Sequence, residues 1–346
     1  MKKICLVCDV PNWAFDIIAK KIAFELKDDF EIDIKYFDVR ESAENFFEFL
    51  EDIKEYDMIH FFWRKILLQM ESEIFKNKVT QKYGDYEYYV ENISHKISTG
   101  VYDFLFLKNE EIESFKNVFN KYSKNYYVIS KKLFEKYSKI EVYKKPYGIV
   151  HDVCNTSKMI PQNLERFDDY NRSLVVGWVG NSAIKYDGVD LKGFHSLIKP
   201  VIQELIEEGY DIKEHYADRN LKWRTPEEMP EYYNEIDVCL CTSIMEGTPL
   251  PILEAMSCGI PIISTDVGVV PEALGEKQSA YIIGDREYGK NDEKIRNVLK
   301  EKLIEIYQNR KILKELSEEN IKSIQRYDGG KIVLEYKTYF EKFLED

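Results

Sequence analysis

A chain of 346 residues is long enough for two domains, each able to bury a hydrophobic core of its own. Its formal net charge of −13 at pH 7 argues against nucleic acid as a main partner, because such binding depends on basic surface. No apolar run approaches the length of about 18 residues that a membrane span needs, and the start "MKKICLVCDVPNW" is too short in apolar residues for a signal peptide. We therefore expect a cytoplasmic protein, with at most weak peripheral contact at the inner membrane face.

The first half of the chain alternates between apolar, strand-like runs and amphipathic, helix-like segments. Strand-like runs open within residues 2–10, 56–63, 96–104 and 126–140, and the first and last of them lead into helical patterns. This alternation predicts an α/β fold with a parallel sheet and helices on both of its faces. Residues 68–95 are polar and rich in tyrosine, and predict either a helix pair or an excursion toward an acceptor.

Residues 153–172 are polar and are the best candidate for a linker between two domains. A second alternating region begins at residues 173–182, "SLVVGWVGNS", and the chain closes with one amphipathic helix over residues 329–346. The sequence therefore predicts a first domain over residues 1–170 and a second over residues 171–326.

The stretch "EGTPLPILEAMSCGIPIIST" predicts a loop, a short helix and a buried strand. Proline favours the first helical position, so the helix should begin at Pro251, and Gly259 should cap its end. The amides and dipole of a helix N-terminus attract anions, while Glu246 and Glu254 are placed to bind hydroxyl groups. Together these features suggest a nucleotide or a sugar phosphate, although a glutamate in the first turn also stabilises a helix without a ligand.

Cysteines and histidines give no metal signature. The spacing of Cys5 and Cys8 lies within an apolar strand pattern and has no second pair or histidines beside it, so these thiols are expected to be small buried hydrophobes. The five histidines show no ligand spacing. We expect no metal site.

Residues 246–275, "EGTPLPILEAMSCGIPIISTDVGVVPEALG", resemble glycosyltransferase family 4, the retaining enzymes of the GT-B fold. The shared marks are the Glu-x7-Glu motif of Glu246 and Glu254, then Gly259, the strand "PIIST", and a further helix opened by Pro271 and Glu272. The resemblance is specific over about residues 174–283. It implies two facing Rossmann-like domains with a cleft between them, and a last helix, about residues 327–346, that packs back on the first domain.

By position, the resemblance assigns a nucleotide-diphospho-sugar to the second domain and an acceptor to the first. Glu246 would touch the transferred sugar, and Lys192, in "LKGF", matches the lysine that neutralises the donor phosphates. These two are the predicted catalytic residues. Glu254 would bind the donor ribose, and the amides that follow Glu246 would face the diphosphate. The donor-binding residues that it implies are Glu254, Gly247, Thr248, Leu250 and Asn181.

The sequence departs from the family pattern at three places. Asn181 stands where the family usually has an arginine, and Lys185 is the candidate for the missing positive charge. The pair Tyr102-Asp103 matches a histidine-aspartate-like pair, and "PNW" replaces a Gly-Gly loop after the first strand. The implied acceptor-binding residues are Asn12, Trp13, Tyr102 and Asp103. The resemblance also places contacts to the nucleotide base within residues 223–229.

The expected activity is therefore a metal-independent, retaining transfer from a UDP- or GDP-sugar to a hydroxyl group, without a cofactor. The acceptor would be a glycan, a lipid-linked molecule or a protein, in the synthesis of bacterial surface glycans or glycoconjugates. Two alternatives stay open. One is a catalytically weak glycan-binding or regulatory partner of another glycosyltransferase, and the other is a GT-B nucleotide-sugar epimerase that needs no acceptor.

Overall fold

The computed structural model describes residues 1–104, 107, 109–154, 158–287 and 290–345. The chain divides into two compact units. The first comprises Met1–Val153 together with Gly329–Asp346, and the second comprises Cys154–Asp328.

The first unit is built on a five-stranded sheet of β1 (Lys2–Cys8), β2 (Phe30–Tyr36), β3 (Met58–Phe61), β4 (Ile97–Val101) and β5 (Asn125–Val128). The strands lie in the order β2-β1-β3-β4-β5, and each neighbouring pair is parallel. β3 and β4 are buried along their whole length, as inner strands covered on both faces should be. The carboxyl ends of these strands therefore meet at one edge of the sheet.

The helices between these strands are α1 (Ala14–Glu25), α2 (Ala43–Ile53), α3 (Glu73–Tyr83), α4 (Tyr86–Ser94), α5 (Asn109–Asn120) and α6 (Lys131–Ser138). A 3-10 helix, Arg64–Glu71, precedes α3. Four of the α-helices begin with an N-cap residue whose side chain accepts a hydrogen bond from a backbone amide of the first turn. These residues are Ser42, Ser72, Asp85 and Ser130. Of the two expectations for the tyrosine-rich segment, the structure shows the helix pair, α3 and α4.

The second unit has a four-stranded parallel sheet of β6 (Leu174–Gly180), β9 (Ile212–Asp218), β10 (Val238–Cys241) and β11 (Ile262–Ser264), in the order β11-β10-β6-β9. An antiparallel pair, β7 (Lys185–Tyr186) and β8 (Val189–Asp190), follows β6. The helices are α7 (Lys199–Glu207), α8 (Met229–Glu235), α9 (Leu250–Ser257), α10 (Val270–Ala273), α11 (Glu276–Ser279), α12 (Asp292–Gln308) and α13 (Ile312–Ser323).

The polar segment predicted as a linker is tied into the second unit, and the first unit's opening segment ends at Val153 rather than at residue 170. Asp237 is fully buried, and its carboxylate accepts hydrogen bonds from Arg172 Nη1 at 2.7 Å and Nη2 at 2.5 Å. Arg166 Nε lies 3.4 Å from the same carboxylate. Polarity here reflects a buried ion-pair network within the second unit, which composition alone does not distinguish from a solvated linker.

The last helix, α14 (Gly329–Glu345), belongs to the first unit. Its Tyr339 hydroxyl donates to Asn125 Oδ1 at 2.6 Å and lies 2.5 Å from Ser98 Oγ. Lys337 forms an ion pair with Asp29. These contacts bind the end of the chain to the sheet of the first unit.

A buried polar cluster beneath α14 is centred on His60 in β3. Its Nδ1 lies 3.0 Å from Ser98 Oγ, and its Nε2 lies 3.1 Å from the Tyr127 hydroxyl and 3.3 Å from the Tyr102 hydroxyl. Burial lowers the pKa of His60 to about 3, so the imidazole is neutral in the folded protein at neutral pH.

We expect this histidine to make the protein less stable in mild acid. Below about pH 6.5 the unfolded chain protonates His60, whereas the folded chain does not until about pH 3, so the free energy of unfolding falls as the pH decreases through that window. Between pH 7.5 and pH 5 the loss is about 2 kcal/mol. Urea unfolding at both pH values should show this loss, and His60→Gln should reduce it by that amount.

The matched control is His95→Gln, which replaces an exposed histidine of the same unit. This variant should keep the full pH dependence of the wild-type protein. An unchanged pH dependence in His60→Gln would assign the acid sensitivity to other groups.

Candidate active site

The loop after β10 and the helix α9 form the core of the site. The helix begins at Leu250, one residue before the predicted start, and Pro251 occupies an early position where no intrahelical bond is lost. Gly259 adopts φ +74°, as predicted for a helix cap. The amides of Gly259 and Ile260 donate to Met256 O and Ala255 O, each at 2.9 Å. The chain then enters β11 directly.

Gly268 fixes the loop that precedes α9. The Val269 amide donates to Gly247 O at 3.1 Å, and Gly268 has φ +50°. A Cβ atom at Gly268 would lie 1.8 Å from Gly247 O, so only glycine permits this approach. The segment that leads into α10 therefore packs against the loop between Glu246 and α9 and fixes its position.

A cavity of about 230 Å³ opens at the start of α9. Among its lining residues are Lys192, Glu246, Thr248 and Leu250, four of the residues predicted to act on a donor. Trp178 and Gly180 from the end of β6 complete part of the wall. The structure thus brings residues separated by more than fifty positions to one place at the carboxyl edge of the sheet.

Lys192 and Glu246 form an ion pair in this cavity. Lys192 Nζ lies 2.5 Å from Glu246 Oε1, which also accepts a hydrogen bond from Ser243 Oγ at 2.7 Å. Burial would lower the pKa of Lys192, but the charge of Glu246 and the hydrogen bond to it outweigh burial and raise that pKa. The lysine is therefore a fixed cation next to the helix N-terminus.

Thr248 presents an unused polar group at the same place. Its Oγ1 is buried and has no hydrogen-bond partner among the described residues. A buried hydroxyl without a partner costs about 1–3 kcal/mol. A ligand with an oxygen atom at the start of α9 would remove this cost.

Glu254 lies one turn further along α9, outside the lining of the cavity. Its Oε2 accepts a hydrogen bond from the Tyr233 hydroxyl at 2.7 Å. Burial raises the pKa of Glu254, and the bond from Tyr233 opposes only part of that effect. Tyr233, on α8, positions the carboxylate and was not predicted from the sequence, since nothing local links it to Glu254.

A second cavity of about 300 Å³ shares Val179, Gly180 and Lys192 with the first. Asn181 lines it, and its Oδ1 accepts a hydrogen bond from the Ala183 amide at 3.0 Å. The positive charge around Asn181 comes from Arg219 and Lys222, which sequence reasoning missed, and from Arg224, which lies in the segment 223–229 expected to contact the nucleotide base. Lys185 is exposed on β7 and lines neither cavity. The basic residues are visible in the sequence as "DRNLKWR". Because the preceding strand β9 was not predicted, their position at the edge of the sheet was not recognised.

The predicted acceptor residues Asn12, Trp13, Tyr102 and Asp103 follow the carboxyl ends of β1 and β4 in the first unit. The ring of Phe15, in the first turn of α1, lies 4.9 Å from that of Tyr102, so both loops lie at one edge of the sheet.

The four side chains differ in accessibility. Trp13 is 63% exposed at the start of α1. Asn12 has φ 62°, and its amide donates to Asp16 Oδ2 at 2.6 Å. Asp103 forms an ion pair with the buried Arg64 at 2.7 Å. Tyr102 is buried, and its hydroxyl forms a hydrogen bond with that of Tyr127, so its side chain packs inside the first unit. Its role in binding an acceptor stays a prediction.

The geometry can be set beside known proteins. Residues 216–320 match the family model described as glycosyl transferases group 1. Over 86 residues the chain is 35% identical to the O-antigen chain mannosyltransferase B of Escherichia coli, covering 25% of this chain and 22% of that protein. Over 134 residues it is 31% identical to the N-acetyl-alpha-D-glucosaminyl L-malate synthase of Bacillus anthracis, covering 38% and 33%. The matches thus span a third or less of the length of these curated relatives.

Among solved structures, HepE of Anabaena in complex with UDP and glucose aligns with 99% of this chain and 100% of that chain, with a TM-score of 0.65 and 14% identity. This likeness defines the fold as GT-B, built from two Rossmann-like α/β units, and confirms the predicted fold class. Among the residues that the structure describes, no helix combines the length and apolar character needed to cross a bilayer.

Proposed function

We propose that this protein is a retaining glycosyltransferase of family 4, which moves a sugar from a nucleotide-diphospho-sugar to a hydroxyl acceptor. The observation that carries the proposal is the Lys192–Glu246 pair beside the N-terminus of α9, where the Thr248 hydroxyl is buried without a partner in the described chain. A cation, the positive end of a helix dipole and an unsatisfied hydroxyl around one cavity suit a diphosphate.

Positive charge around the cavity supports departure of a diphosphate without a metal ion. Lys192 keeps its proton because its pKa is raised, and Arg219 and Lys222 line the adjoining cavity. Fixed charges and dipoles of this kind stabilise a leaving group without having to reorganise during the reaction. A UDP- or GDP-sugar is the proposed donor, and no cofactor is proposed.

In the proposed reaction, the bond between the anomeric carbon and the diphosphate oxygen breaks, and its electron pair leaves with the nucleoside diphosphate. The acceptor hydroxyl attacks from the same face, and its proton passes to the departing phosphate oxygen. Glu246 holds the sugar, whose ring gains positive character as the bond breaks, and Glu254 holds the ribose. No carboxylate forms a covalent intermediate.

The names of the relatives support the substrate class. One relative is named an O-antigen chain mannosyltransferase, and the solved neighbour is a complex with UDP and glucose. We propose a glycan, lipid-linked or protein acceptor in bacterial surface-glycan or glycoconjugate synthesis. A cytoplasmic location, with weak peripheral contact at the inner membrane face, is part of the same proposal.

The test is a screen of UDP- and GDP-sugars for release of nucleoside diphosphate and for transfer, with and without excess EDTA. We expect release and transfer that survive chelation, with the anomeric configuration of the donor kept in the product, as read by NMR. Loss of transfer in EDTA that magnesium or manganese restores would contradict the metal-independent mechanism. Donor binding without release would favour a regulatory partner, and a sugar epimer formed from donor alone would identify an epimerase.

A further inference from the structure

A third cavity, of about 260 Å³, lies in the first unit between the end of α2, the helix pair α3–α4 and the start of β4. Its walls include Tyr83, Tyr88 and Tyr89, with Lys54 and Lys96 beside them. We refer to it as the tyrosine cavity. None of the functions assigned above uses these residues.

The tyrosine cavity lies away from the predicted acceptor residues. Lys96 immediately precedes β4, and Lys54 lies between α2 and β3, so the cavity is at the amino-terminal edge of the parallel sheet. Trp13 and Asp103 follow carboxyl ends of strands and so lie at the opposite edge. A ligand in the tyrosine cavity would therefore be separate from those loops.

Glu51 holds two of the three rings of this cavity, Tyr83 and Tyr89, in place. Its carboxylate accepts hydrogen bonds from the Tyr83 hydroxyl at 2.5 Å, the Tyr89 hydroxyl at 3.1 Å, Lys82 Nζ at 2.6 Å and Lys54 Nζ at 3.0 Å. The rings of Tyr83 and Tyr89 are stacked with centroids 5.0 Å apart. This network orders Tyr83 and Tyr89 before any ligand arrives, which lowers the entropy cost of binding against these two rings.

The exposed ring of Tyr88 indicates the chemistry of the ligand. Tyr88 is 67% exposed and borders a concave site, whereas the ring of Tyr83 stacks on Tyr89 and has Lys54 and Lys82 over it. Asn92 and Glu55 place an amide and a carboxylate on the same lining. A pyranose ring offers an apolar C–H face to an aromatic ring and hydroxyl groups to such polar neighbours.

Charge in the cavity argues against a phosphate or nucleotide. Lys54 is already bonded to Glu51, and Lys96 Nζ donates to Lys54 O at 2.7 Å. Glu55, on the lining, adds a negative charge. Paired and opposed charges leave no strong attraction for an anion, so a neutral ligand fits better.

We propose that the tyrosine cavity is a second carbohydrate-binding site, which holds a neutral oligosaccharide away from the predicted acceptor loops. The cavity, its aromatic rings and its polar side chains are features of this structure and do not depend on the proposed function. The choice of a carbohydrate rests in part on the proposed function, because a protein that transfers sugars to a glycan meets such chains.

The experiment titrates the full chain with maltotetraose, cellotetraose, mannotetraose and chitotetraose, followed by saturation-transfer NMR and calorimetry. We expect at least one tetrasaccharide to bind, and Tyr88→Ala to weaken that binding by about fivefold, which corresponds to about 1 kcal/mol for one aromatic contact. The matched control is Tyr170→Ala, which removes a tyrosine of the second unit that is 45% exposed and should change nothing. Binding of UDP and GDP should be equal in all three proteins.

Absence of binding by all four tetrasaccharides would overturn the proposal, and so would equal losses in Tyr88→Ala and Tyr170→Ala. The proposed transfer is judged separately, from turnover of nucleotide sugars. Oligosaccharide binding without any turnover would refute the transfer and keep the tyrosine cavity as a glycan site. Turnover without oligosaccharide binding would refute the glycan site alone.

Discussion

Replacement of Lys192 by methionine is expected to lower kcat/KM for sugar transfer by about a hundred- to a thousandfold, the loss typical when one fixed donor to a developing negative charge is removed. Lys192 is a charged residue that lines both cavities of the second unit, together with Val179 and Gly180, and its ammonium lies beside the start of α9. Methionine has a similar length and keeps the packing of the stem while removing the charge.

The structure also predicts how this effect depends on pH. The pKa of Lys192 is raised by Glu246, so the cation persists to higher pH than an ordinary lysine would. Deprotonation of Lys192 should therefore not limit activity anywhere in the neutral range. Lys192→Arg keeps the charge and is expected to retain more activity than Lys192→Met.

The matched control is Lys185→Met, which removes the exposed lysine of β7 that sequence reasoning offered as a substitute for the missing arginine. This variant should have nearly wild-type kinetics. Equal losses in both variants would show that general positive charge, rather than the position of Lys192, sustains the reaction. Replacing Lys192 leaves the Glu246 carboxylate with Ser243 as the hydrogen-bond partner that the structure shows, and this loss can destabilise the fold. Unfolding midpoints measured beside the kinetics therefore distinguish a loss of catalysis from a loss of stability.

Local sequence rules predicted the segment around α9 well because its determinants are local. Proline is disfavoured inside a helix, glycine adopts a positive φ such as that of Gly259 without strain, and "PIIST" opens with an apolar run whose strand is buried. In the two parallel sheets, β2 and β9 escaped prediction, and both are edge strands. Their exposed faces carry charged residues, which weakens the apolar pattern by which inner strands are identified.

Long-range contacts explain the rest of what the sequence did not predict. Tyr233 reaches Glu254 from another helix, and Arg219 and Lys222 line the second cavity of the second unit from the loop after an unpredicted strand. Tyr102 follows a strand end, as expected, but the structure turns its ring inward to the His60 cluster. The position of a residue after a predicted strand indicates the edge of the sheet at which it lies. The direction of its side chain depends on long-range packing, which local sequence patterns do not predict.

The two glutamates of the Glu-x7-Glu motif are expected to separate by role when each is replaced by glutamine. Glu254 is proposed to hold the ribose, which is bound alike in the ground and transition states, so Glu254→Gln should raise KM more than it lowers kcat. A hydrogen bond to a charged group contributes about 1.5–3 kcal/mol. Nucleoside diphosphate and donor should therefore bind about ten- to a hundredfold more weakly.

Tyr233→Phe refines this expectation, since it removes the hydroxyl that holds Glu254 Oε2 at 2.7 Å and leaves the carboxylate itself in place. Nucleotide affinity should fall by less than in Glu254→Gln, with kcat almost unchanged. A loss in Tyr233→Phe as large as that in Glu254→Gln would mean that the orientation of the carboxylate, not its charge, decides binding.

Glu246→Gln is expected to have the opposite profile. Its carboxylate is proposed to face the sugar as positive character develops, so kcat should fall by about a hundredfold. Nucleoside diphosphate should bind as tightly as in the wild type or more tightly, because Lys192 no longer shares its charge with a carboxylate 2.5 Å away. Calorimetric titration with UDP and GDP beside steady-state kinetics on all three variants measures both quantities. Equal losses of nucleotide affinity in Glu246→Gln and Glu254→Gln would contradict the division of roles, and unfolding of both would assign the pair to the stability of α9 and its loop.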